Sequence, residues 1–212
     1  MNLYKKLKHT VSIVLPTYNR AYILNRAIQS VLKQTFADWE LIIIDDGSTD
    51  KTFDICRNYT FKYSNIKYFK QSNKGLPLSL NEGISAANGK YIAFLGSDDE
   101  YLPEHLELRI DFLKQHSKIE LLHGGVKIIG DKYVKDKNDF SKKIHLKDCV
   151  IGGTFFGEKE VFQKLNGFQN IDYSEDSDFY KRAVLTGIKI EKVNFKTYIY
   201  YRDTADSICN SI

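Results

Sequence analysis

The stretch VSIVLPTYNRAYILNRAIQSVLKQTFADWELIIIDDGSTD, residues 11–50, decides the fold. It opens with a short apolar run that ends at Pro16, and a second apolar run follows at residues 40–46. Between the two runs, apolar residues recur every three or four positions, which is typical of a helix with one buried face. Near-continuous apolar strands joined by a helix indicate a parallel sheet that is covered on both faces.

The same alternation continues through the first half of the chain. Further strands are predicted at residues 66–71 and 90–95, and further helices at residues 51–59, 77–88 and 103–116. The last two helices begin at a proline, which suits the first helical turn. We therefore expect an α/β fold with a mostly parallel central sheet and helices on both faces.

The second half of the chain is less regular. Residues 131–148 are dense in lysine and aspartate with little periodicity, and we interpret them as a solvated loop. The other elements predicted are strands at 119–125, 126–130, 188–193 and 197–201, and helices at 158–168 and 175–187.

Length and composition narrow the class of protein. The 212 residues fit one domain. The net charge of +4 is too small to indicate nucleic-acid binding. No apolar run approaches the roughly 20 residues of a membrane helix. Three widely spaced cysteines, Cys56, Cys149 and Cys209, favour reduced thiols in a cytoplasmic protein over a disulfide framework or a zinc site.

Acidic residues follow two of the predicted strands, at the sheet edge where α/β proteins bind ligands. Asp45 and Asp46 precede a glycine that permits a tight turn, and their carboxylates suit a base N–H or a ribose hydroxyl. The alternative interpretation of DGSTD is a turn and a helix cap, and both can hold. A phosphatase of the haloacid-dehalogenase type would need an acid where Ile44 stands.

The second acidic cluster is GSDDE, residues 96–100. Asp98 and Asp99 are the ligand type that a hard divalent cation such as Mg²⁺ or Mn²⁺ requires. The alternative is a charged turn exposed to water. Since the chain has no glycine-rich phosphate loop, a nucleotide diphosphate would be held mainly through the metal.

A third cluster, YSEDSD, places Asp172, Glu175, Asp176 and Asp178 at the start of a predicted helix. Acids are favoured there by the helix dipole, and this explains one or two of the four. A carboxylate in a crevice opposite a metal-bound leaving group is also suited to general-base catalysis.

Taken together, four segments resemble the family 2 inverting glycosyltransferases, which have the GT-A fold. The segments are residues 11–52, the stretch NKGLPLSLNEGISAANGKYIAFLGSDDEYLP (residues 73–103), GGTFFGEKEVFQKLNGF (residues 152–168) and EDSDFYKRA (residues 175–183). The resemblance covers nearly the whole chain in the expected order. It implies a single catalytic domain, residues 1–212, with a nucleotide-sugar half at about 10–100 and an acceptor half at about 101–212.

The resemblance also implies roles for individual residues. Pro16, Thr17 and Tyr18 would line the base, Asp45 and Asp46 would hold base and ribose, and Asp98 would contact the nucleotide. Asp98 and Asp99 would hold Mg²⁺ or Mn²⁺, with Asp99 the more direct ligand. Asp176 would be the general base. Gly152, Gly153, Thr154 and Glu175 would lie on the acceptor side, and Arg202 would contact a phosphate.

The implied reaction moves a sugar, with inversion, from a nucleotide-diphosphate sugar to a hydroxyl of a saccharide or glycolipid acceptor. The implied setting is surface polysaccharide or glycolipid assembly in the cytoplasm, with peripheral association at the inner face of the membrane. No nucleic acid is involved.

Three positions depart from the family pattern. Gly96 replaces an acid that many members carry, Leu80 replaces an arginine, and Thr204 replaces a histidine. These departures keep open a second interpretation, a non-catalytic module with the same fold that binds nucleotide sugars. A nucleotidyltransferase is disfavoured because LPTYNRAY, residues 15–22, contains no glycine.

Overall fold

The computed structural model describes residues 9–203. Two residues named above, Thr204 and Cys209, lie outside this range. The strands are β1 (His9–Thr17), β2 (Trp39–Asp45), β3 (Ile66–Lys70), β4 (Gly89–Phe94), β5 (Glu100–Tyr101), β6 (Leu121–Ile129), β7 (Tyr133–Asp136), β8 (Asp139–His145), β9 (Phe156–Glu158) and β10 (Ile190–Tyr201). The helices are α1 (Leu24–Leu32), α2 (Thr52–Lys62), α3 (Leu76–Ala86), α4 (His105–Gln115), α5 (Lys159–Lys164) and α6 (Glu175–Leu185).

Eight of the strands form one sheet in the order β3-β2-β1-β4-β9-β6-β10-β5. β1 pairs in parallel with β2 and β4, β2 with β3, and β6 with β10. The short β9 lies antiparallel between β4 and β6, and β5 is antiparallel to β10. The expected mostly parallel sheet is therefore confirmed.

Two apolar cores form, one on each face of this sheet. Residues of β1 that point to one face pack with α1, α2 and α4, whereas Val14 packs on the other face with α3, α5 and α6. Every residue of β2 is buried, as expected for a strand covered on both sides. Among residues 9–203, no helix is long and apolar enough to cross a membrane.

The prediction of a loop at residues 131–148 is wrong, because most of this segment is the β7–β8 hairpin. Its strands pair only with each other, and four consecutive residues of β8 are exposed. Without a buried face along β8, the sequence lacks the alternation that identifies strands. Val134 of β7 is buried all the same, at 7% exposure.

The sequence predicts two strands within residues 119–130 and two within residues 188–201. The structure has one strand in each of these ranges, β6 and β10. The strand end predicted within β6 falls at two glycines, Gly124 and Gly125, which both have positive φ. Opposite them, the register of β10 shifts between Val193 and Tyr198. Glycine permits this irregular backbone, so the strand bends without ending.

Helix α3 lies close against β1 because it has a glycine at the contact. A Cβ atom on Gly83 would overlap Cγ1 of Val14 and lie 2.9 Å from Cγ2. Close approach of α3 matters for the site, because the loop that leads into this helix lines the cavity described below.

We expect Gly83→Ala to lower the free energy of unfolding by about 1–3 kcal/mol through overpacking, although alanine is normally better than glycine within a helix. Chemical denaturation measures the change. In a double-mutant cycle with Val14→Ala, the costs should be less than additive because the smaller partner makes room. Simple additivity would contradict this contact.

Candidate functional site

A cavity of about 1070 Å³ opens at the carboxyl ends of β1 and β4. Its walls come from the segments after these strands, from the β7–β8 hairpin and from the residues that begin α6. The residues singled out from the sequence that line it are Pro16, Thr17, Tyr18, Asp46, Leu80, Gly96, Asp98, Asp99, Cys149, Gly152, Gly153, Asp172, Glu175 and Asp176. All three acidic clusters therefore contribute carboxylates to one cavity.

The end of β1 supplies groups suited to a polar, planar ligand. The Thr17 side chain is buried, and its Oγ1 has no hydrogen-bond partner within residues 9–203. The Tyr18 ring beside it is 46% exposed, so an aromatic face is available for stacking. A buried hydroxyl without a partner is costly, and a ligand that bonds to it would remove that cost.

The two adjacent acids after β2 differ in their surroundings. The Asp46 carboxylate accepts hydrogen bonds from the backbone amides of Lys74 (2.9 Å) and Gly75 (2.8 Å), and it lines the cavity. The Asp45 carboxylate is fully buried and accepts bonds from the Ser48 amide (2.8 Å) and the Tyr68 hydroxyl. Asp45 does not line the cavity; it accepts from an amide of the turn that follows it.

Asp99 is held from the direction of β10. Its side chain is 3% exposed; one carboxylate oxygen accepts from the Tyr198 hydroxyl (2.6 Å) and the other from the Tyr201 amide (2.9 Å). Burial, together with the neighbouring charge of Asp98, raises the pKa of Asp99 to about 8. The Asp98 carbonyl accepts from the Arg26 guanidinium, which stacks on the Tyr201 ring.

The residues present fit a divalent cation that is shared with a diphosphate. Within residues 9–203 no group of three or more potential ligands is arranged to hold a metal alone. Mg²⁺ is commonly bound through one or two carboxylates plus phosphate oxygens and water, and Asp98 and Asp99 supply those carboxylates. Both oxygens of Asp99 also accept protein hydrogen bonds, which fix the orientation of this carboxylate.

The base candidate, Asp176, is held by two backbone amides. Its oxygens accept from Gly152 N (3.0 Å) and Ser177 N (2.6 Å). Burial raises its pKa. The pKa of Glu175 rises to about 7, through burial and then the adjacent Asp176 charge. Asp178 instead pairs with Arg182 at 2.7 Å and does not line the cavity, so the helix-start interpretation suffices for it.

Two of the expected site residues are buried and hydrogen-bonded to neighbouring backbone. Thr154 is 1% exposed, and its hydroxyl donates to Ile151 O (2.7 Å) and accepts from Gly124 N (2.9 Å). Arg202 is also buried, and its guanidinium lies 3.5 Å from Tyr133 O in the hairpin. Neither residue lines the cavity.

Individual side chains of the β7–β8 hairpin and of β10 line the cavity without having been singled out from the sequence. Lys135 and Lys137 line the cavity, and the positive charge of Lys137 opposes the rise in the pKa of Asp176. The Tyr173 hydroxyl donates to Lys135 O (2.8 Å) and so fastens the hairpin beside α6. No local signal marks these contacts, since they join segments distant in sequence.

A sequence profile of Glycosyl transferase family 2 matches residues 12–171. An uncharacterized glycosyltransferase of Rickettsia prowazekii is 32% identical over the whole chain, which spans 70% of that protein. The Escherichia coli protein WfgD, a UDP-Glc:alpha-D-GlcNAc-diphosphoundecaprenol beta-1,3-glucosyltransferase, is 36% identical over 68% of this chain and 58% of its own length.

Solved structures share the fold at low identity. S. aureus TarS in complex with UDP-GlcNAc superposes with a TM-score of 0.78 at 22% identity, covering 94% of this chain and 60% of TarS. The mannosyltransferase PcManGT of Pyrobaculum calidifontis, in complex with GDP-Man and Mn²⁺, gives 0.73 at 16% identity, covering 92% of this chain and 57% of PcManGT. The expected GT-A architecture is thereby confirmed.

The buried carboxyls of the site predict how stability depends on pH. Because the pKa values of Asp99 and Glu175 lie above their unfolded values near 4, these two groups bind more protons in the folded state than in the unfolded state between about pH 4 and 8. The lowered pKa of buried His123 acts in the opposite direction below about pH 6.5. Above that pH the free energy of unfolding should therefore fall as pH rises, and Tm should be lower at about pH 8.5 than at about pH 6.5.

Thermal denaturation of Asp99→Asn and Glu175→Gln should show a smaller pH difference in Tm than wild type. The matched control is Asp139→Asn, because hydrogen bonds from Ser141 and Lys142 lower the pKa of that aspartate, out of this window. A wild-type Tm that rises over the same interval would contradict the assignment.

Proposed function

The chain belongs to Glycosyl transferase family 2, and on that premise we propose that it transfers a sugar from a nucleotide-diphosphate sugar to an acceptor hydroxyl with inversion. The observation that carries the proposal is that Asp176 and the Asp98–Asp99 pair line one cavity. Such a transfer requires a base that takes the proton of the acceptor hydroxyl, and carboxylates that hold a metal ion at the diphosphate.

The donor would lie along the carboxyl ends of the first strands, in the half formed by residues of about 10–100. The unpartnered hydroxyl of Thr17, the exposed ring of Tyr18 and the carboxylate of Asp46 support a nucleoside there. Two structural neighbours contain nucleotide sugars, UDP-GlcNAc in one and GDP-Man in the other. Asp45 would act indirectly, by fixing the turn that follows β2.

Asp98 and Asp99 together would hold Mg²⁺ or Mn²⁺, which when bound would neutralise charge on the diphosphate leaving group. The protein's own contribution is to keep two carboxylates beyond the end of β4, where both line the cavity.

Asp176 would take the acceptor's proton. The acceptor oxygen forms a bond to C1 of the sugar, the bond from C1 to the phosphate oxygen breaks, and its electron pair leaves with the diphosphate. The hydroxyl proton passes to the Asp176 carboxylate, whose orientation is set by the amides of Gly152 and Ser177. A single in-line displacement inverts the configuration at C1, and a base with a raised pKa is better matched to neutral pH.

The acceptor would bind in the half formed by residues of about 101–212, between the β7–β8 hairpin and the start of α6. We propose a saccharide or glycolipid acceptor in surface polysaccharide or glycolipid assembly. The printed name of the E. coli relative contains a lipid-linked acceptor, which supports this class. Peripheral contact with the inner face of a membrane would give access to such an acceptor.

Asp176→Asn should lower the transfer rate by about 10²–10⁴-fold, because an amide cannot take up the acceptor's proton. It should leave the affinity for the nucleoside diphosphate unchanged. Transfer is measured as nucleoside diphosphate released from a panel of nucleotide sugars with Mn²⁺, and affinity by calorimetric titration.

The matched control is Asp178→Asn, which makes the same chemical change two residues later in α6, outside the cavity. It should retain the wild-type rate. Full activity in Asp176→Asn would overturn the base assignment. Tight nucleotide binding by the wild type, with no turnover on any acceptor, would favour the non-catalytic module.

A further inference from the structure

One buried tyrosine on β10 contacts both groups of site residues. We propose, on the basis of the function proposed above, that Tyr198 is a positioning residue that holds the Asp99 carboxylate through its hydroxyl and the Gly152–Thr154 turn through its ring. A single side chain would then set the position of the metal-side carboxylates relative to the turn that orients Asp176.

The first contact fixes Asp99. The Tyr198 hydroxyl donates to one carboxylate oxygen at 2.6 Å and accepts from the Gly96 amide at 3.1 Å. The other carboxylate oxygen accepts from the Tyr201 amide, also on β10. Two bonds from one strand leave the Asp99 side chain a single orientation.

The glycine at position 96 is part of this arrangement. A Cβ atom on Gly96 would lie 2.6 Å from Oδ2 of Asp99 and 3.2 Å from Oδ1 of Asp98. The Asp99 carboxylate thus occupies the space where a side chain at position 96 would begin. An acid introduced here would displace Asp99 from Tyr198, so Gly96→Asp would not simply add a ligand.

The second contact fixes the turn that orients the base. A Cβ atom on Gly153 would overlap the Tyr198 hydroxyl and lie 2.6 Å from its Cζ, so the ring packs directly on this backbone. The preceding residue, Gly152, donates its amide to Asp176 at 3.0 Å. Movement of the Tyr198 ring would therefore be transmitted to the Asp176 carboxylate.

Tyr198 itself is rigidly placed. Its side chain is 1% exposed, and its ring lies edge-on to Tyr101 at 5.7 Å. Its backbone pairs with Val126 of β6 on one side and with Tyr101 of β5 on the other. The hydroxyl is therefore held by a strand that is paired on both sides, so its position is fixed better than it would be on a loop.

The test compares Tyr198→Phe with Tyr101→Phe. The control removes one buried hydroxyl from the same aromatic cluster, and that hydroxyl donates to Phe94 O at 2.6 Å instead of to Asp99. Calorimetry measures the affinity for UDP with Mn²⁺ and with EDTA, and GDP replaces UDP if UDP does not bind. Binding of Mn²⁺ alone is followed by electron paramagnetic resonance.

Tyr198→Phe should weaken Mn²⁺-dependent nucleotide binding by about tenfold or more, because the hydrogen bond that orients the Asp99 side chain is lost. Its affinity in EDTA should match wild type. Tyr101→Phe should match wild type under both conditions. An unchanged Mn²⁺-dependent affinity in Tyr198→Phe, or an equal loss with and without metal, would overturn the positioning role.

A second variant keeps the test decisive if Tyr198→Phe does not fold. Gly96→Ala, at a partly exposed position, pushes on the Asp99 carboxylate from the other side and should give the same metal-dependent loss. Wild-type behaviour in Gly96→Ala would count against the inference. A wild type that binds neither Mn²⁺ nor either nucleotide would overturn the proposed function itself, whereas normal wild-type binding with unaffected variants would overturn this inference alone.

Discussion

Carboxylates buried beside apolar strands are stable only where the fold supplies hydrogen-bond donors, and this constraint shapes the whole site. Asp46, Asp99 and Asp176 each accept at least one bond from a main-chain amide of a segment distant in sequence. Without those amides, each burial would cost several kcal/mol. The segments that carry these amides must therefore be placed accurately. The positions of the backbone segments are constrained most where burying a carboxylate would cost the most free energy.

The sheet meets this requirement through its order of strands. Because β1, β2 and β4 run parallel, the segments that follow them emerge at one edge, and their acids reach a common region. The short β5, which follows β4 in the chain, then pairs with β10 and so brings Asp99 near that strand. Tyr198 can bond to Asp99 only because this order places two halves of the chain in one continuous sheet.

Local patterns predicted the first half of the fold well, because helix and strand periodicities there coincide with burial. They failed for the β7–β8 hairpin, whose second strand buries almost no face, and for β6 and β10, where paired glycines and a register shift look like strand ends. Within the site, residue type and position identified the acidic clusters that contain Asp98 and Asp176, and the family resemblance singled out Asp176 within its cluster. Residue type and position did not separate Asp45 from Asp46, since that difference depends on Tyr68, which reaches Asp45 from another strand.

The departure from the family pattern at Gly96 becomes intelligible once the volume around it is considered. From the sequence alone, a glycine in place of the family's acid at position 96 means one metal ligand fewer. In the folded chain, the absence of a side chain at position 96 admits the Asp99 carboxylate, and the absence of one at Gly153 admits the Tyr198 ring. Gly96, Gly153 and Tyr198 thus form one packed unit, in which each glycine leaves the space that a neighbouring side chain occupies. A substitution at any one of them changes the environment of the other two, so their energetic effects should be coupled.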